Sequence, residues 1–189
     1  LTISTFCDTF SNAFLMNLSR TTYRIVFFAS LIWCLLVIAP PIAVHFGAVR
    51  LADLIYGFFS RICHQLDSHS LHLFDVKLAV CARCTAIYFS FFVSLILYPL
   101  LLQKILPAAL RETISNSPRT LFLSVLPILL DIGVSEIGVH ESTLVTRAVT
   151  GAILGVALPF ILIPPAAEAF KELRFKLWPS FLGRIRHAE

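Results

Sequence analysis

Apolar residues along this chain gather into four long blocks separated by shorter polar stretches. The blocks cover residues 25–44, 78–102, 121–139 and 143–163. Each is about as long as the 20 or so residues that a helix needs to cross a hydrocarbon core roughly 30 Å thick. Pro40-Pro41 interrupts the first block near its end, where a kink or stop is expected, and Pro164-Pro165 closes the fourth. Three flanking stretches carry apolar residues at helical spacing with polar residues between them: residues 5–18, 48–65 and 166–186. Phe6, Phe10, Phe14 and Leu18 mark the first, and Leu51, Leu54, Ile55, Phe58, Phe59 and Ile62 the second. Arg174, Lys176, Arg184 and Arg186 alternate with aromatic and apolar residues in the third. Such segments lie in the membrane interface with basic faces toward headgroups. The pattern predicts an all-α polytopic membrane protein, a single domain over residues 1–189 with four transmembrane helices and interfacial amphipathic helices.

Composition supports the same setting. Of 189 residues, 58% are hydrophobic and 14% charged. The mean hydropathy is +0.86. A soluble domain of this length could not hide that much apolar side chain, so lipid must solvate part of it. A polar and aromatic stretch precedes the first block, so no cleavable signal peptide is expected, and Leu1 is not an initiator Met.

Charge orients the spans. Four crossings put both termini and the middle loop on one side, with Arg20, Arg24, Lys104, Arg111, Arg119, Lys171, Arg174, Lys176, Arg184 and Arg186. The other side holds Arg50, Arg61, Lys77 and Arg83. The positive-inside rule then places both termini in the cytoplasm. The asymmetry also explains the sequence pI near 9.0 without a nucleic-acid partner.

Candidate chemistry gathers on the extracytoplasmic side. Cys63-His64-Gln65 precedes Cys81-Ala82-Arg83-Cys84 across a polar stretch holding His69, His72 and Asp75. On a helical reading of the second block, Cys81, Cys84, Thr85 and Tyr88 share one face. Structural zinc takes four Cys or His ligands, and Cys63, His64, Cys81 and Cys84 make a Cys3His set. Adjacent Cys63 and His64 form a cramped chelate, so His69 or His72 are alternates for the imidazole. The hairpin between the third and fourth spans brings Glu136, His140 and Glu141 to the same face, with His140 and Glu141 placed to support a ligating imidazole. The same thiols also suit dithiol redox chemistry, because a CxxC pair at a helix start has a lowered thiol pKa. A structural disulfide is a third reading, although it leaves one of the three thiols over. Cys7 and Cys34 lie away from the cluster and are expected to serve packing.

Two ionisable residues fall inside apolar blocks. Asp131 and Arg147 are expected to pair within the bundle, because an unpaired charge in hydrocarbon costs several kcal/mol. Gly151 and Gly155 form a GxxxG on the stripe that carries Arg147, which permits close helix contact.

Together these residues resemble an uncharacterised family of small prokaryotic membrane proteins. Its signature reads CHQ, then Arg-Ser, then CARCTGIY, with a second half of the form D…G…EST…R…TG…G. The chain follows it from about Phe59 to Gly155 through Cys63-His64-Gln65, Cys81 to Tyr88, Asp131, Gly138, Glu141-Ser142-Thr143, Arg147, Thr150-Gly151 and Gly155. It departs at His69, Ala86, Ile132 and Ser135. The resemblance implies a membrane protein and assigns no reaction.

Three functions are in play. The first is a non-enzymatic membrane protein holding zinc or another transition metal, alone, as a homo-oligomer, or as an accessory subunit of a larger membrane complex. The second is a membrane thiol-disulfide oxidoreductase. The third is a metal-ion transporter with Asp131 as a midway ligand.

Overall fold

The computed structural model describes residues 3–100, 118–138 and 141–186. It is mostly helical, and it contains a two-stranded antiparallel sheet that the sequence reading lacked. Helix α1 spans Ile3–His45, α2 Val49–Phe59, α3 Ala82–Leu100, α4 Pro118–Glu136 and α5 Leu144–Arg186. Strands β1, Ser70–Leu73, and β2, Val76–Cys81, lie between α2 and α3. The chain divides into two compact units, one of residues 1–26 and 162–189 and the other of residues 27–161. The candidate site lies wholly in the second.

The long helices differ from the expected blocks. Helix α1 joins the predicted amphipathic stretch to the first span and runs through Pro40-Pro41 without stopping. Each proline removes one backbone donor, but both rings are fully buried, and packing around them offsets the lost bonds. The helix ends instead at Gly47, whose φ of 78° forms a left-handed cap. Gly47 N–H donates to Val44 O at 3.0 Å and Ala48 N–H to Ala43 O at 2.8 Å, the two bonds of a Schellman motif. Gly138, φ 74°, ends α4 in the same left-handed conformation. Helix α5 likewise continues through Pro164-Pro165 to Arg186, so the fourth block and the C-terminal amphipathic stretch are one helix.

The segment predicted as polar loop and span entry folds as a β-hairpin. Leu73 pairs with Val76, leaving Phe74-Asp75 as a two-residue turn. Both have positive φ, 55° and 59°, as a type I′ turn requires. A phenylalanine is costly there, and its ring stacks on His45 at 4.5 Å, which holds it in place. Residues 78–81 are therefore strand rather than the start of a span, and the helix begins at Ala82. Helix α2 ends at Phe59, short of the predicted residue 65. Residues 101–102 of the second block and Val139 of the third lie outside the described residues.

Two stretches, Thr21–His45 and Leu144–Ile163, are long and apolar enough to cross a membrane, and Ala82–Tyr98 is a shorter apolar helix. Large apolar side chains point outward along the helices, among them Phe28, Ile32 and Leu35 of α1, Val93 and Ile96 of α3, and Phe122, Leu123, Leu129 and Leu130 of α4. A buried cluster of Val37, Phe59, Leu78, Ala79 and Val80 with Cys63 and Cys81 joins α1, α2 and the hairpin. Trp33 packs edge-on against Phe59 at 5.3 Å and Tyr88 at 5.7 Å, closing this core.

Candidate metal centre

The chain brings Cys63 to the hairpin through the end of α2. After Phe59 the backbone makes one more turn, with Cys63 N–H donating to Phe59 O at 2.9 Å. Gln65 then adopts a positive φ of 50° and turns the chain back. Its side-chain amide donates to Tyr56 O at 3.0 Å and to Ala79 O at 2.8 Å, tying the end of α2 to β2. Lys77 Nζ donates to the Gln65 carbonyl at 3.0 Å, and the Tyr56 hydroxyl donates to the Lys77 carbonyl. Sequence reasoning assigned no role to Gln65. Its position beside Cys63 in a tight triplet was the available signal.

Cys81 is the last residue of β2 and Cys84 stands in the first turn of α3. The CxxC thus straddles a strand–helix junction rather than lying along one helical face. The sulfurs of Cys63, Cys81 and Cys84 all lie within 4.8 Å of one another. Cys63 and Cys81 are buried and Cys84 half-buried, and all three are free thiols. Four tetrahedral sulfurs at the usual 2.3 Å from zinc stand about 3.8 Å apart, so this spacing suits a common ion. Cys81 N–H donates to Cys63 Sγ at 3.2 Å. Hydrogen bonds from the Cys81 and Cys84 thiols, with lesser ones from the Cys81 and Gln65 backbone, hold the Cys63 thiol well below its ordinary pKa against the opposing effect of burial. A thiolate is the form that binds metal.

No described imidazole or carboxylate joins the three sulfurs. His64 is exposed, with its ring edge-on to His69 at 6.4 Å. His72 faces Asp67 at 3.4 Å on the outer side of the hairpin. Glu141 is exposed, and His140 lies outside the described residues. Cys34 is buried on α1, where its thiol donates to Tyr88 O at 3.5 Å, apart from the cluster.

Beside the cluster lies a polar network with a different pairing from the expected one. Asp131 forms its ion pair with Arg83 of α3, not with Arg147. The Ser142 hydroxyl reaches both Asp131 oxygens, at 3.0 and 2.9 Å. Arg147 Nε donates to the Ser142 carbonyl at 3.2 Å, so it meets Asp131 only through that residue. The expected pairing of Asp131 with Arg147 rested on the cost of leaving either charge alone in an apolar block. That argument could not show that the first turn of α3 offers Asp131 another guanidinium, Arg83. Thr143 caps α5, accepting from Thr146 N–H at 3.2 Å.

Gly151 and Gly155 allow α5 to sit directly on α3. A Cβ at Gly151 would fall well inside contact distance of the Arg83 carbonyl, and one at Gly155 would overlap Ser90 Oγ and the Ile87 carbonyl. The close approach continues to Ser94, whose hydroxyl donates to Val156 O at 2.9 Å.

Apolar helices with outward-facing side chains, capped by a buried thiol cluster, define a membrane protein with a compact sulfur site. Residues 63–161 match the family described as "Predicted membrane protein (DUF2085)", and the chain belongs to that family. It is also 30% identical over 147 residues to an uncharacterized protein of Methanocaldococcus jannaschii, covering 75% of this chain and 90% of that protein. No solved structure matches.

Proposed function

We propose that this chain is a small integral membrane protein whose Cys63, Cys81 and Cys84 thiolates hold a zinc-like ion at the extracytoplasmic face. The observation that carries the reading is the gathering of three buried or half-buried sulfurs within 4.8 Å of one another. The donor set suits zinc, a borderline-soft ion that accepts thiolates readily. The ion would add to the Gln65 and Cys81 N–H hydrogen bonds that fasten the end of α2 to β2 and the strand–helix junction. His64, exposed beside Cys63, would complete a tetrahedron. The role of the ion is structural.

The four-span arrangement with cytoplasmic termini belongs to the same proposal. It is supported by the outward apolar faces of α3 and α4 and by the Lys/Arg asymmetry. Lipid, rather than water, is the solvent such faces fit.

A second reading is thiol-disulfide exchange, favoured by the hydrogen bonds that the Cys81 and Cys84 thiols give to Cys63. Elemental analysis of anaerobically purified protein, with alkylation of free thiols, separates the two. One zinc-like ion per chain, lost on Cys63→Ser, Cys81→Ser or Cys84→Ser, supports the metal site. A metal-free protein with a Cys81–Cys84 disulfide contradicts it and supports the second reading.

A further inference from the structure

A second group of residues next to the thiols carries more positive charge than it neutralises. Ser70 pairs with Cys81, so His69, one residue before it, stands beside the start of α3. Arg83 lies in the first turn of that helix, and Gly151 abuts its carbonyl. Arg147 is one turn before Gly151 on α5. The network thus holds two guanidinium groups against a single carboxylate, Asp131. Arg83 and Ser142 already engage that carboxylate. Among the described residues, no carboxylate lies within 4.0 Å of Arg147.

Two nitrogens in this group are buried without a hydrogen-bond partner among the described residues: His69 Nδ1 and Arg83 Nε. A buried polar nitrogen left unpaired costs about 1–3 kcal/mol, and Arg83 Nε and, in its Nδ1–H tautomer, His69 each call for an acceptor. Burial first, then the charges of Arg147, His64 and Arg83, lowers the pKa of His69. The Ser70–Cys81 pairing sets His69 beside the turn that carries Arg83, and the Gly151 contact seats the helix of Arg147 on that same turn. The α3 N-terminus adds its own partial positive charge there, with no acidic residue in its first turn.

We propose that His69, Arg83 and Arg147 form a binding site for a phosphate-type oxoanion, whose oxygens accept from the two unpartnered donors and neutralise Arg147. Guanidinium forks match such oxygens in pairs. The ligand is either a free oxoanion or the phosphate of a lipid headgroup. The lipid source rests on the four-span reading, which sets this end of α3 and α5 at headgroup level. The free-anion source does not, and neither source requires the metal.

The test uses the full chain in a nonionic detergent and phosphate-free buffer. Inorganic phosphate binding is followed by calorimetry, and phosphatidylglycerol retention by native mass spectrometry, with phosphatidylcholine as control. Arg147→Gln is expected to weaken the bound anion by about tenfold or more, the effect of a charge-assisted hydrogen bond, and Arg147→Lys to recover part of it. His69→Gln, which keeps a donor, should weaken it less than His69→Leu. Phosphate binding that displaces no lipid assigns a free oxoanion. Selective retention of phosphatidylglycerol assigns a headgroup. Binding of neither, or equal binding by wild type and Arg147→Gln, overturns the site and leaves water as the partner of both donors. Arg147→Gln should keep the wild-type metal content, so loss of anion and loss of metal are read separately.

Discussion

Replacing Asp131 by alanine tests the polar network directly. The Arg83 side chain is 15% exposed and the Asp131 side chain 9%, so neither charge is well hydrated. Removing the carboxylate strands a buried guanidinium and also takes away the acceptor for the Ser142 hydroxyl. Breaking one side of a buried pair costs about 3–5 kcal/mol. One or more of those kcal/mol belongs to the lost Ser142 bond. Arg83→Leu should cost a similar amount, because it leaves the carboxylate unpaired. The double replacement should cost less than the sum of the two, with a coupling of about 1–3 kcal/mol. The matching cycle with Arg147 should give less than about 1 kcal/mol, since Arg147 reaches Asp131 only by way of Ser142. The assay is reversible unfolding in mixed micelles, followed by tryptophan fluorescence from Trp33 in the core. Stronger coupling of Asp131 to Arg147 than to Arg83 would refute the pairing, and additive effects in both cycles would refute the network.

Other perturbations follow from the same contacts. Gly155→Ala should destabilise the protein by about 1–3 kcal/mol through overpacking against Ile87 and Ser90, while alanine at Gly57, which meets nothing nearby, should not; unfolding of both variants checks this. Gln65→Ala should cost about 1–3 kcal/mol by removing the amide that donates to both the Tyr56 and Ala79 carbonyls, and hydrogen exchange at the end of α2 and along β2 should accelerate. Membrane-impermeant labelling of intact cells, after reduction and metal removal, should reach Cys63, Cys81 and Cys84 from outside. Labelling of these thiols only from the cytoplasm would reverse the orientation.

The apolar blocks marked the helices because length and continuous hydrophobicity are local properties, legible one segment at a time. The prolines misled about where α1 and α5 end. Their cost is local, but tolerance depends on packing that a single segment does not reveal. The hairpin was missed for a related reason. Its turn is Phe74-Asp75 rather than Asn-Gly, and the ring of His45, distant in sequence, supports the phenylalanine. The three thiols were legible as a group from spacing alone, although their route to one point runs through a strand end instead of a helical face. The partner of Asp131 was not legible. Arg83 was read as part of the CxxC, and the carboxylate it meets on α4 lies 48 residues further along the chain.

X-ray absorption at the metal edge tests the central claim most directly. For wild-type protein with zinc bound, the account predicts three sulfur scatterers at about 2.3 Å and one nitrogen or oxygen at about 2.0–2.1 Å. Each of Cys63→Ser, Cys81→Ser and Cys84→Ser should remove one sulfur or abolish binding, while Cys34→Ser should leave the spectrum unchanged. A first shell of nitrogen and oxygen alone, or zinc sulfur shells that survive all three serine replacements, would contradict it.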